Sequence, residues 1–252
     1  MLFRRPCSFL VLLVLMAGCG GPTTLTEAPL AEPPAVDGTL AEWDDRLTPV
    51  GDDPVSMAAL PTDSLLYVSV IIRDQALVRT VVQNGLVVWV DPDGQQRRRY
   101  GVQYPLGLRR QQAGRRRAGG GSRMSLDDVS LRELEVVQGD TLRQRIPARY
   151  SSGLRAVAAL NPSSVLCELA IPVHGSGASH ALPAALGPSV SLGVFTPTPD
   201  DTPEAQPAPP PDVGGARTRT GTRERRRRKR QRQQALRKQP PSLDLWTTLR
   251  TR

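Results

Sequence analysis

The side chains in this 252-residue chain that could carry chemistry are few and scattered. Its two histidines, His174 and His180, stand six residues apart in a Gly/Ser/Ala-rich stretch. No Cys, Asp or Glu lies beside them to complete a metal site, so they read as an exposed loop pair. Glu42, Asp44, Asp45, Asp52 and Asp53 cluster in sequence. Hydrolysis by two carboxylates needs a pair held about 5 to 9.5 Å apart in a cleft, whereas a run like this is ordinarily a set of solvated turn residues. Asp91-x-Asp93-Gly94 opens like a calcium loop but lacks the later Asp/Asn and the closing Glu, and reads as a hairpin turn. Cys167, between Leu166 and Leu169 in an apolar run, reads as an inert buried thiol. Neither a Gly-rich phosphate loop nor a nucleophile elbow occurs. No catalytic residue, metal or cofactor is therefore assigned, and the chain reads as a non-enzyme. What remains are Trp43, Trp89 and Trp246, whose rings either pack a sheet or stack on the apolar C–H face of a sugar.

One other thiol has a chemistry implied by its neighbours. Arg4 and Arg5 precede the apolar run of residues 9–16, then Ala17, Gly18 and Cys19. Basic residues, a short apolar core and small residues make a secretory signal, too short for a spanning helix. Leu15-Met16-Ala17-Gly18-Cys19 resembles the bacterial lipobox, in which the Cys thiol accepts diacylglycerol and becomes the first residue of the mature protein. The expectation is a signal peptide over 1–18 and a lipid-anchored Cys19. Two or more acyl chains, at about 0.8 kcal/mol per buried CH₂, hold such an anchor stably. Gly20 in place of Asp, by resemblance to Gram-negative sorting rules, points to the outer membrane.

Composition limits the partners. Cys7 leaves with the signal and Cys19 carries lipid, so Cys167 has no partner for an intramolecular disulfide and the fold must stand on its apolar core. The formal charge of +9 suggests a nucleic-acid binder until it is located. Twelve basic residues and one acid, Glu224, lie between Arg217 and Lys238, and the rest of the chain is slightly acidic. That tract has no interleaved aromatics and no apolar helix face, which argues against specific nucleic-acid recognition. In a cell envelope, segment 217–238 would attract anionic lipid or lipopolysaccharide phosphates; otherwise it is an expansion in a tolerant loop.

The elements that must position the three Trp read mainly as strands. Residues 19–35, rich in Pro, Thr, Glu and Ala, read as a disordered tether that could span roughly 50 Å. β-branched and aromatic runs at 65–72 and 86–90 read as buried strands. Between them, Asp74 as N-cap and Leu77, Val78, Val81 and Val82 at helical spacing predict one short crossover helix. Asp91-Pro92-Asp93-Gly94 turns the chain into a strand at 100–104. Residues 109–123 read as an exposed loop. Strands are expected at 131–137, with a helix as the alternative, and at 154–160, 165–171 and 189–195. Residues 198–241, Pro-rich and then Arg-rich, cannot bury enough apolar surface to offset their ordering entropy, and read as a long disordered insertion. Beyond it, 242–252 carries a last strand with Leu243, Leu245, Thr247 and Leu249 on one face and Asp244, Trp246 and Thr248 on the other. The fold class is all-β: an antiparallel β-sandwich over 36–197, completed by 242–252.

Val36-Asp37-Gly38-Thr39-Leu40-Ala41-Glu42-Trp43 is similar to the opening motif of domains resembling family 9 carbohydrate-binding modules. Leu66-Tyr67-Val68, Arg73-Asp74, the run from Gly85 to Gly94, Glu168-Leu169-Ala170-Ile171-Pro172 and Leu245-Trp246 resemble later pieces of the same pattern. The resemblance implies a binding fold, with a glycan as partner clamped between Trp rings. Neither member of the family's clamping pair is matched here, so Trp43, Trp89 and Trp246 stand as the candidates, each with core or sheet packing as its alternative. The sequence thus predicts an envelope lipoprotein with a non-catalytic binding domain, carbohydrate being the implied ligand. The alternative is a structural or protein-interaction module of the envelope with no small-molecule ligand.

Overall fold

The computed structural model describes residues 23–25, 32–113, 129–139, 142–149, 153–198 and 241–251. The signal 1–18, Cys19, most of the tether, loop residues 114–123 and the basic tract 217–238 lie outside the described residues.

Twelve strands and two short helices are described: β1 Thr23–Leu25, β2 Thr48–Pro49, β3 Val55–Pro61, β4 Leu65–Ile72, α1 Gln75–Asn84, β5 Val87–Asp91, β6 Tyr100–Gln103, α2 Leu108–Ala113, β7 Glu133–Gln138, β8 Leu142–Pro147, β9 Arg155–Asn161, β10 Ser164–Pro172, β11 Ser189–Phe195 and β12 Asp244–Arg250. They form a seven-stranded sheet in the order β1-β12-β11-β5-β6-β7-β8 and a five-stranded sheet in the order β2-β3-β4-β10-β9. All pairings are antiparallel except β1 with β12.

Strand periodicity of two explains the core. Leu66, Val68, Val70 and Ile72 of β4 and Val165, Cys167, Leu169 and Ile171 of β10 meet Val88 and Val90 of β5, Val102 of β6 and Val190, Leu192 and Val194 of β11 in one apolar cluster. α1 joins the two sheets. The Asp74 carboxylate accepts the Leu77 N–H at 2.8 Å, and Leu77, Val78, Val81 and Val82 are buried.

The strand expected at 131–137 forms as β7, and β5 and β6 pair as the expected hairpin. Three expectations are corrected. The described residues hold two short helices rather than one: α2 occupies the start of the stretch read as an exposed loop, because Leu108 anchors it in the core. Residues 23–25, inside the stretch read as a disordered tether, form β1, with Leu25 buried and the Thr247 hydroxyl donating to the Thr23 carbonyl at 2.6 Å. β3 and β8 had no counterpart in the sequence reading. β3 is rich in Ala and ends in Pro; β8 is an edge strand with mostly polar, exposed side chains.

Candidate functional site

The outward side of an antiparallel sheet normally turns polar to meet water. On the seven-stranded sheet an apolar patch interrupts that rule. Consecutive register partners across β12, β11, β5, β6 and β7 are Trp246, Gly193, Trp89, Gly101 and Val137. The next row on the same face runs Asp244, Phe195, Val87, Gln103, Glu135 and Arg145. Trp89, Val87 and Val137 form a cluster of their own outside the main core, with Phe195 and Trp246 packed against it.

The two glycines create the room. A Cβ at Gly101 would stand 2.8 Å from the Trp89 ring, and one at Gly193 would stand 3.0 Å from the Trp246 ring. Each indole therefore lies over the glycine of the neighbouring strand, and both lean the same way across the sheet. Trp246 and Phe195 are half-buried, while Trp89 is 6 % exposed. Arg98 sits 4.2 Å from the Phe195 ring centroid and pairs with Asp244 at 3.1 Å, so the aromatic patch has a charged rim. The Trp89 indole N–H and the Ser191 hydroxyl, both on this face, are buried with no hydrogen-bond partner among the described residues.

Trp43 is elsewhere. It is 1 % exposed and packs with Ala58, Leu60, Tyr67 and Ala170 on the outside of the other sheet, where the segment 32–47 crosses it. Glu168 fastens that segment: its Oε2 accepts the Asp37 N–H at 3.0 Å and the Gly38 N–H at 2.7 Å. Burial raises the Glu168 pKa above its ordinary value; the two backbone N–H groups act in the opposite sense. The structure thus brings Trp89 and Trp246 together and places Trp43 on the far side of the sandwich.

The other candidates have structural places. The Asp91 carboxylate is buried and accepts the N–H groups of Asp93, Gln95 and Arg97 at 3.3, 3.0 and 2.9 Å, which builds the hairpin turn. Glu42 accepts the Ala35 N–H at 2.9 Å, and Asp44, Asp45, Asp52 and Asp53 are exposed. His174 is exposed; the His180 carbonyl accepts the Tyr100 hydroxyl at 2.6 Å. Cys167 donates its S–H to the Tyr104 carbonyl at 3.4 Å, and burial pushes its thiol far above the usual range. No group of three His, Cys, Asp or Glu that could hold a metal occurs among the described residues. Nor is any described helix long and apolar enough to cross a membrane.

Phe195, Gly193, Gly101 and Arg98 escaped the sequence reading. The available signal was glycine in the middle of otherwise strong strands, which often marks a close approach by another group.

No family model matches the chain, and no curated protein matches it significantly. Among solved structures it is similar to a carbohydrate-binding module of family 9 from Caldicellulosiruptor kristjanssonii in complex with glucose, at 11 % identity and a TM-score of 0.33, covering 69 % of this chain and 78 % of that one. The same module in complex with cellotriose matches at 10 % identity and a TM-score of 0.33, covering 69 % and 75 %. A likeness of that size leaves the function to be read from this chain's own residues.

Proposed function

We propose that this chain is a non-catalytic binding domain of the bacterial cell envelope, carried on lipid at Cys19, that takes a carbohydrate on the outer face of its seven-stranded sheet. The observation that carries this reading is the aromatic patch of Trp246, Phe195 and Trp89 on a face that would otherwise be polar. A half-buried ring set flat on a sheet offers an apolar face to the C–H face of a pyranose, and the exposed Asp244 stands beside it to meet hydroxyl groups. A stacked ring worth about 1 kcal/mol changes Kd about fivefold.

A glycan array followed by titration of the best ligand tests this. Trp246→Ala is expected to weaken binding at least about fivefold while Trp43→Phe leaves it unchanged. An array with no ligand, or a ligand indifferent to Trp246, favours the second reading, a protein-interaction module of the envelope. The 6 % exposure of Trp89 is the observation on that side, since a ring so covered presents little surface to a sugar.

Support for the membrane part comes from the signal and from β1. The strand begins four residues after Cys19, and three intervening residues extended reach only about 10 Å. A lipidated Cys19 therefore seats the domain against the bilayer instead of standing it off on a long tether. Thr23 lies opposite Thr247 at the middle of β12, and β1 runs parallel to β12, so the chain enters β1 from the end of the sheet where Thr198 and Pro241, the described ends of the basic insertion, follow β11 and precede β12. Basic residues of segment 217–238 held near anionic headgroups or lipopolysaccharide phosphates add about 1 kcal/mol each, screened by salt. Gly20 after the Cys supports outer-membrane sorting in a Gram-negative cell. Cys19→Ser is expected to move the protein from the detergent phase to the aqueous phase on phase partitioning; unchanged partitioning would sink the lipid anchor.

A further inference from the structure

The outer face of the seven-stranded sheet does not end at its aromatic patch. On β7, Glu135 points outward with its side chain 3 % exposed, and three guanidinium groups converge on it. Arg110 of α2 gives Nη2 to both carboxylate oxygens, at 2.9 and 3.0 Å. Arg143 and Arg145, two residues apart on β8 and so on one face, approach from the sheet edge: Arg143 Nη1 lies 3.1 Å from Oε2 and Arg145 Nε 3.7 Å from Oε1. Arg145 also donates from Nη2 to the Arg110 carbonyl at 3.1 Å.

One carboxylate needs one guanidinium to balance its charge, and Arg110 already supplies it through contacts to both oxygens. Even with Arg143 set aside, Arg110 and Arg145 put two positive charges on the single negative charge of Glu135. Cations gathered this way repel one another, the more so where water is thinned, and the Arg110 side chain is only 13 % exposed. Its Nε is a buried donor with no acceptor among the described residues. Glu133, the neighbouring outward residue of β7, is exposed and faces Pro147 across the ladder. Arg145, with 41 % of its side chain exposed, keeps N–H donors open to solvent. Glu135 and the Arg110 carbonyl thus hold Arg145 at the sheet edge, with its remaining donors facing outward.

Its position relates it to the aromatic patch. Phe195, Val87, Gln103, Glu135 and Arg145 are successive register partners, so four strand spacings of about 4.8 Å separate the aromatic end from the cationic end, roughly 19 Å along one face. That is the span of an oligosaccharide of a few rings. We infer that the Arg110–Arg143–Arg145 cluster is an oxyanion site, and that the ligand of this face is an acidic glycan bearing carboxylate, phosphate or sulfate groups. This inference rests on the carbohydrate reading for its polymer and on the arginines for its charge.

Calorimetry on the full chain in neutral detergent, with tetragalacturonate and neutral galactotetraose as probes, tests it. The acidic tetramer is expected to bind about tenfold tighter than the neutral one, and Arg145→Gln to remove about fivefold of that advantage. Arg143→Gln combined with Arg145→Gln should bring the two sugars level; this pair leaves the Arg110–Glu135 contact in place, and a melting curve confirms the fold. Arg227→Gln with Arg228→Gln, in the basic tract, removes the same charge elsewhere and should leave the Kd unchanged. Equal affinity for both tetramers, or an equal loss in the tract variant, overturns the oxyanion site; the carbohydrate reading then survives if Trp246→Ala still weakens the neutral tetramer. A loss with Arg145→Gln but none with Trp246→Ala keeps the oxyanion site and removes the aromatic one. Binding of neither tetramer ends both.

Discussion

The outer faces of the two sheets both carry large apolar side chains, and different parts of the chain shield them. On the five-stranded sheet the residues Ala58, Leu60, Tyr67 and Ala170 are covered by the chain itself: segment 32–47 crosses them, Trp43 fills the space beneath it, and Glu168 holds two of its backbone N–H groups. On the seven-stranded sheet the described residues put no such segment over Trp89, Val87 and Val137; the covering consists of Trp246, Phe195 and a rim of arginine. A face closed by backbone and a fully buried indole has become part of the core. A face covered by side chains can be uncovered by moving side chains, and that difference is why the second is read as the binding face although both carry a Trp named from sequence.

The comparison is broken most sharply at the tryptophans. Trp43→Ala leaves a cavity in a fully buried site and is expected to cost about 3–5 kcal/mol, with no change in the Kd of any ligand that still binds folded protein. Trp246→Ala should cost appreciably less stability, because the ring is half-buried, and should weaken binding at least about fivefold. Denaturant melts of both variants beside one titration check this. If Trp43→Ala abolished binding at temperatures where the domain remains folded, the assignment of the two faces would have to be exchanged.

The glycines sharpen it next. Gly→Ala inside a strand with ordinary backbone angles usually stabilises by about 0.4–1 kcal/mol, through the unfolded chain. Gly101→Ala should do the reverse, by about 1–3 kcal/mol, because its Cβ meets Cε3 and Cζ3 of Trp89 at 2.8 Å. Displacing that indole should also change its fluorescence. A stabilised variant with an unshifted emission spectrum would mean that Trp89 does not lie over β6.

These glycines also mark how far the sequence could be read. Period-two alternation from Leu243 to Leu249 identified β12 and the face of Trp246, since a core-facing row must be apolar. Asp74 identified the start of α1 for a similarly local reason: it immediately precedes the helix and its carboxylate accepts the N–H three residues on. What stayed hidden depends on contacts far apart in sequence. β1 pairs residues 23–25 with residues 247–249, and nothing in Thr-Thr-Leu announces a partner more than two hundred residues on. The Glu135 cluster draws on α2, β7 and β8, whose arginines look like solvated charges until register sets them around one carboxylate. The three Trp were equivalent in sequence because ring type is legible there and the covering segment is not.

A pH test separates the faces a third way. The folded-state pKa of Glu168 lies above its ordinary 4.5, chiefly through burial. The folded protein therefore holds this proton more tightly than the unfolded chain does. The stability it contributes is present below the ordinary value and is lost as pH rises through the raised folded one. Glu168→Gln should flatten the fall in stability across that window in urea melts, while ligand affinity, set on the other face, keeps its own pH profile. An identical stability slope in wild type and variant would remove Glu168 as the titrating clasp.

The smallest expected effect concerns Arg98, which lies over the ring face of Phe195 that a sugar would use. Its guanidinium is partly exposed and its partner Asp244 more so, so the ion pair and the ring contact together are worth about 1 kcal/mol or less. Arg98→Ala should hardly shift the melting curve, yet it bares the ring, so a neutral sugar should bind Arg98→Ala at least as tightly as wild type. If Arg98 instead closes this face as segment 32–47 closes the other, the variant will lose stability on the scale of Trp43→Ala. A stability loss of several kcal/mol would make the two faces alike, and would leave the seven-stranded sheet without an accessible aromatic surface for any ligand.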